Sequence, residues 1–153
     1  MSNVKRRNDE LERTAIHEAG HTMVAVRYSI PIIRVTILNE PHMHRGRYRP
    51  ECSRLIGLRR LVTLCLAGPE AERVFCGPIR DGGDKTDQRM ARVYLSARLA
   101  SDQIEAELSC CQDAAAQLVR SKWGKRIITR IADALLARGT LSGNEVSAIV
   151  GRA

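Results

Sequence analysis

Aromatic side chains are scarce in this 153-residue sequence, at 3% of the whole, so its core must be packed with Leu, Ile, Val and Ala. Long apolar runs are missing too. No stretch approaches the roughly 20 residues that a membrane-spanning helix needs, and the opening MSNVKRRNDE leads into charge rather than an apolar leader core. A soluble, unexported chain without a membrane span is the expectation. The five cysteines, Cys52, Cys65, Cys76, Cys110 and Cys111, contain no C-x-x-C pair and are odd in number. That excludes a disulfide framework or a thiolate zinc knot and fits a reducing cytoplasm. RNP-like, zinc-finger and P-loop patterns are also absent.

What is present is ordinary globular material: 44% hydrophobic and 27% charged residues, in a length that suits one domain with a real core. Lys and Arg exceed Asp and Glu by 25 to 17, a net +8. The excess clusters at Lys5-Arg6-Arg7, at Arg45, Arg47 and Arg49, and at Arg54, Arg59 and Arg60. Such charge attracts nucleic acid, anionic membranes or acidic polypeptides without choosing among them, and solvated loops explain it as well.

Periodicity organises the chain. Residues 8–27 carry Leu11, Ala15, Ile16, Ala19, Met23 and Val26 at three- and four-residue steps, which predicts a helix with one core face. IIRVTIL at 32–38, β-branched and bounded by Pro31 and Pro41, reads as a strand, and the alternating residues 45–49 suggest an irregular edge strand beside it. Helical spacing returns over 58–76, where Pro69 should kink or split the helix. A polar loop from 77 to 86 precedes helices predicted at 87–100, 102–120 and 122–138. Gly139 suits a C-cap, and Ser142 with Glu145 has capping-box spacing for a last short helix ending near Val150. The fold class expected is α+β, mainly α, a helical domain with a small sheet.

The chemistry-bearing motif is His17-Glu18-Ala19-Gly20-His21, an H-E-x-x-H inside the first predicted helix. At about 100° per residue, two positions four apart differ by only about 40° around the axis, so both imidazoles can reach one ion. Glu18 falls beside them, placed to take a proton from a water that the metal polarises while the ion steadies the developing oxyanion. Zinc used in this way wants a third protein donor and an open position. His42, His44, Asp81, Asp84 and Asp87 are all available, and spacing alone does not select one.

Several segments, in order, resemble the peptidase domain of the FtsH-type ATP-dependent zinc metalloproteases. TAIHEAGH at 14–21 looks like that family's zinc helix and Val35-Thr36-Ile37 like the strand after it. LAGPEAERVFCG at 66–77 looks like its A-G-R-A-A-E-E helix, GDKTDQRMA at 83–91 like G-A-S-N-D-L-x-x-A, and IADALLARGTLSGNEVSAIV at 131–150 like its closing helix pair. The resemblance implies that His17, His21 and Asp87 hold zinc, that Glu18 is the catalytic carboxylate, and that Glu72 orients a zinc-binding imidazole from behind. It departs from the family in lacking an ATPase module and membrane segments, in Pro69 and Arg73 where the family has arginine and glutamate, and in a shortened segment after the third-ligand helix.

The activity implied is a stand-alone zinc metalloendopeptidase acting on unstructured polypeptides or on targets delivered by a separate ATPase or adaptor, with oligomerisation left open. Substrate would lie extended against the edge at Gly46, Arg47 and Tyr48, where Arg45, Arg47 and Arg49 would favour acidic sequences. The alternative is a catalytically silent module that uses its basic surface on nucleic acid or an acidic protein, less favoured because the motif is intact.

Overall fold

The computed structural model describes residues 3–38, 57–79 and 85–152, with side chains from Asp9 onward. Among these residues run α1 (Asn3–Arg27), β1 (Arg34–Thr36), α2 (Gly57–Cys76), α3 (Lys85–Ser96), α4 (Ser101–Arg120), α5 (Lys122–Arg138), β2 (Thr140–Ser142) and α6 (Gly143–Gly151). The fold is α+β and mainly α. No described helix is long and apolar enough to cross a membrane.

The aliphatic core forms as composition requires. α1 supplies Ala15, Ile16, Ala19 and Met23, α2 supplies Val62, Leu66, Ala67 and Ala71, and α5 supplies Ile127, Ile128, Ile131 and Leu135, all buried in one cluster. Tyr28, Tyr94 and Trp123 are only partly buried against it, and Phe75 is exposed at the end of α2. Small residues dominate where α1 meets α2. A Cβ on Gly20 would stand 2.6 Å from both the Ala67 carbonyl oxygen and the Ala71 Cβ, so the two helices approach as closely as backbone allows. This proximity brings α2 to the histidine face of α1.

Two ion pairs tie α4 to the same layer. Arg59 grips Glu107 with Nε and Nη2, and buried Glu70 meets Arg120 at 2.7 Å and Arg73 at 2.5 Å. Pro69 does not split α2, which runs unbroken through it; the proline forfeits one main-chain bond inside a stretch whose neighbours are buried from Val62 to Glu72.

The sheet differs from the expected pairing. β1 pairs antiparallel with β2, Val35 opposite Leu141, and Gly143 N–H and Ile37 N–H extend the ladder to Ile33 O at 3.0 Å and Gly139 O at 2.9 Å. β2 is three residues long, directly after the Gly139 C-cap and ending on the Ser142 N-cap, too short to show strand alternation, so the sequence reads as a turn there. The suspected edge strand at 45–49 lies outside the described residues. α3 ends at Ser96 rather than at 100, and Ala100 is extended as the N-cap of α4; Ala97–Ala100 contains neither Gly nor Pro to mark that break. Gly139 does cap α5, and Ser142 and Glu145 form the capping box of α6.

Candidate metal centre

Three helices contribute to the site. His17 and His21 project from one face of α1, a turn apart, with ring centroids 4.8 Å from each other and planes at 74°. α3 starts at Lys85, which puts Asp87 in its first turn, where a carboxylate complements the positive end of the helix. α2 lies behind both rings.

The outer ring nitrogens are already committed. His21 Nδ1 lies 2.7 Å from the Leu64 carbonyl oxygen, which can only accept, so this nitrogen carries the proton. His17 Nδ1 faces Glu72 Oε2 at 3.4 Å. Both Nε2 atoms then face inward, the arrangement in which carboxylates and carbonyls orient metal-binding imidazoles. Arg13 completes the back of the site, donating from Nη1 to Glu72 Oε1 at 3.0 Å and to Pro78 O at 3.3 Å, and from Nη2 to Cys76 O at 2.8 Å.

Inside, the donor atoms converge. His17 Nε2 lies 3.1 Å from His21 Nε2 and 3.0 Å from Asp87 Oδ2, while His21 Nε2 is 3.7 Å from Asp87 Oδ1. A zinc ion about 2.0–2.2 Å from each nitrogen or oxygen in tetrahedral geometry requires donor separations of ~3.3–3.5 Å. The two histidines face different oxygens of Asp87 and the observed separations lie near that value, so the three side chains are close enough together to hold one metal ion. They form the one group of at least three His, Cys, Asp or Glu found converging among the described residues. Three protein donors leave a fourth tetrahedral position open.

The electrostatics show what this convergence demands. Burial works against charge on His17, but its hydrogen bond to Asp87 and the negative charges of Asp87, Glu18 and Glu72 outweigh that and raise its pKa above the ordinary 6.5. His21 goes the other way. Burial, and then the charge of neighbouring His17, push it below 6.5 against the opposing pull of Asp87, Glu18 and the Leu64 carbonyl. One cationic proton is accommodated between two nitrogens and a carboxylate, and a second is resisted; a single divalent cation satisfies all three donors at once.

Of the other residues singled out from sequence, Glu18 is buried beside both histidines, and its charge acts on each. Glu72 sits behind His17. Gly46, Arg47 and Tyr48, together with His42, His44, Asp81 and Asp84, lie outside the described residues. Sequence reasoning missed three contributors. Arg13 carried a usable signal, standing four residues before His17 on the same helical face. Leu64 acts through its main chain, which no sequence pattern records, and Gly68 acts by lacking a side chain, since a Cβ there would collide with the His21 ring.

No protein-family model matches the chain, and no curated protein matches it either.

Proposed function

We propose that this chain is a zinc-dependent endopeptidase of the FtsH-like kind, acting on unstructured or delivered polypeptides. The observation that carries the reading is the convergence of His17, His21 and Asp87 at separations suited to one tetrahedral ion, with Glu18 buried alongside but outside the donor group. Two imidazoles and a carboxylate are a donor set that zinc accepts, and three donors with an open position mark a catalytic rather than a structural site. When bound, the ion would acidify a water and polarise a peptide carbonyl.

The chain's own residues supply the rest. Glu18 takes the proton from the attacking water and passes it to the departing amine nitrogen, so the peptide bond breaks as a new carbonyl–oxygen bond forms. Glu72 and the Leu64 carbonyl hold the two rings by their outer nitrogens, which keeps the inner nitrogens aimed at one point.

The test is metal analysis of the purified chain together with digestion of casein or a peptide library by wild type and Glu18→Gln. The expected result is equimolar zinc in both proteins and a rate lower by ~10²–10⁴-fold in the variant. Well-folded, zinc-loaded wild type that cleaves nothing would overturn the peptidase reading in favour of a binding module.

A further inference from the structure

Arg13 stands one helical turn before His17, so the two side chains share a face of α1. Its guanidinium reaches across to α2 and beyond, to Glu72 Oε1 at 3.0 Å, Cys76 O at 2.8 Å and Pro78 O at 3.3 Å. Glu72 uses its second oxygen on His17 Nδ1 at 3.4 Å. Cys76 is the last residue of α2, and the chain then passes Pro78 on its way to α3 and Asp87. A single planar fork thus holds the carboxylate behind the first histidine while its other bonds go to the main chain at the end of α2 and at Pro78.

We infer that Arg13 is a positioning residue of the metal centre, acting on His17 through Glu72. The inference rests on the metal reading above. Geometry supports it over a generic surface ion pair, because the Arg13 and Glu72 side chains are only 19% and 10% exposed, so solvent screens the contact weakly. A carboxylate has two oxygens to place, and Arg13 takes one of them. With that oxygen anchored, the other is fixed towards the imidazole; without it, Glu72 has, among the described residues, only His17 to orient against. Lysine cannot reproduce the contact, since one ammonium does not span the carboxylate and two carbonyls in the way that a rigid fork with separate nitrogens does.

The experiment is titration of the chelator-stripped full chain with Co²⁺ alone, read by ligand-field absorption, for wild type, Arg13→Lys, Arg13→Gln, Glu72→Gln and the Arg13→Gln/Glu72→Gln double variant, with thermal midpoints recorded in parallel. Arg13→Gln is expected to weaken Co²⁺ binding about 10-fold, the lower end of what loss of an outer partner costs. Arg13→Lys should recover only part of this, and the double variant should bind no more weakly than Glu72→Gln alone. Should Arg13→Gln fail to fold, Arg13→Lys decides the matter, by weaker binding alone and none further when combined with Glu72→Gln. Wild-type affinity in the Arg13 variants, or losses that add in the double variant, would overturn the inference while leaving the metal reading intact. A folded wild type that binds no Co²⁺ would overturn the metal reading and this inference with it.

Discussion

A Cβ on Gly68 of α2 would stand 2.3 Å from Nε2 of His21 on α1, and 2.6 and 2.7 Å from two of its ring carbons. The nitrogen that faces the converging donors therefore lies against the bare backbone of Gly68. A methyl group there cannot be absorbed by a flexible chain end, because its neighbour is a rigid ring held on its far side by the Leu64 carbonyl.

Gly68→Ala is expected to weaken Co²⁺ or Zn²⁺ binding by displacing His21, and to destabilise the fold by about 1–3 kcal/mol, the usual range for overpacking. Metal titration and urea denaturation measure the two effects separately. Unchanged metal affinity would mean that the ring moves without cost.

Removing a donor should do more harm than removing a donor's support. Asp87→Ala takes away the carboxylate 3.0 Å from His17 Nε2, whereas Glu72→Gln leaves all three donors in place. Zinc affinity measured by competition with a chromophoric chelator should fall about 10–100-fold for Glu72→Gln and further for Asp87→Ala. The reverse order would remove Asp87 from the donor set.

The capping box of α6 makes stability depend on acid pH. Hydrogen bonds from the Ser142 main-chain N–H, at 2.8 Å, and from its hydroxyl, together with nearby Arg138, hold the Glu145 pKa below its ordinary 4.5. A carboxylate whose pKa is depressed on folding contributes stability above its unfolded pKa and loses it as pH falls through the folded value. Thermal unfolding of wild type and Glu145→Gln should therefore differ at pH 7 and converge below about pH 4. A constant difference across that range would show that charge has no part in the cap.

Thiol reactivity should follow burial. Cys65 is buried beside the site, and burial first, with the charge of Asp87 second, pushes its pKa up to about 12; burial also raises Cys76 and Cys111. Cys110 is exposed. Since the thiolate is the reacting form, iodoacetamide at pH 8 should label Cys110 first among these four and Cys65 only on unfolding, as peptide mapping would reveal. Early labelling of Cys65 in the folded protein would contradict this placement.

Helical periodicity made much of the architecture readable in advance. α5 spans the predicted 122–138, while α1 extends to Asn3 because its first turns are rich in charge and show no apolar repeat in the sequence. β2 was hidden by its length and by Ser142, whose capping role is the stronger local signal. At the site, His17, Glu18 and His21 were visible as a motif, and resemblance pointed to Asp87 and Glu72, yet spacing could not choose among five candidate third donors.

The sequence by itself determined that two imidazoles share one helical face with a glutamate beside them, because the turn of an α-helix is a local property set by residues four apart. Only the tertiary structure decided what meets them. The Leu64 carbonyl, the bare backbone at Gly68, the Glu72 carboxylate that Arg13 grips and the inward carboxylate of Asp87 come from α2 and α3, far along the chain from α1. Their positions depend on how closely small residues let α2 pack on α1 and on where α3 begins, which are long-range packing outcomes that no local pattern encodes.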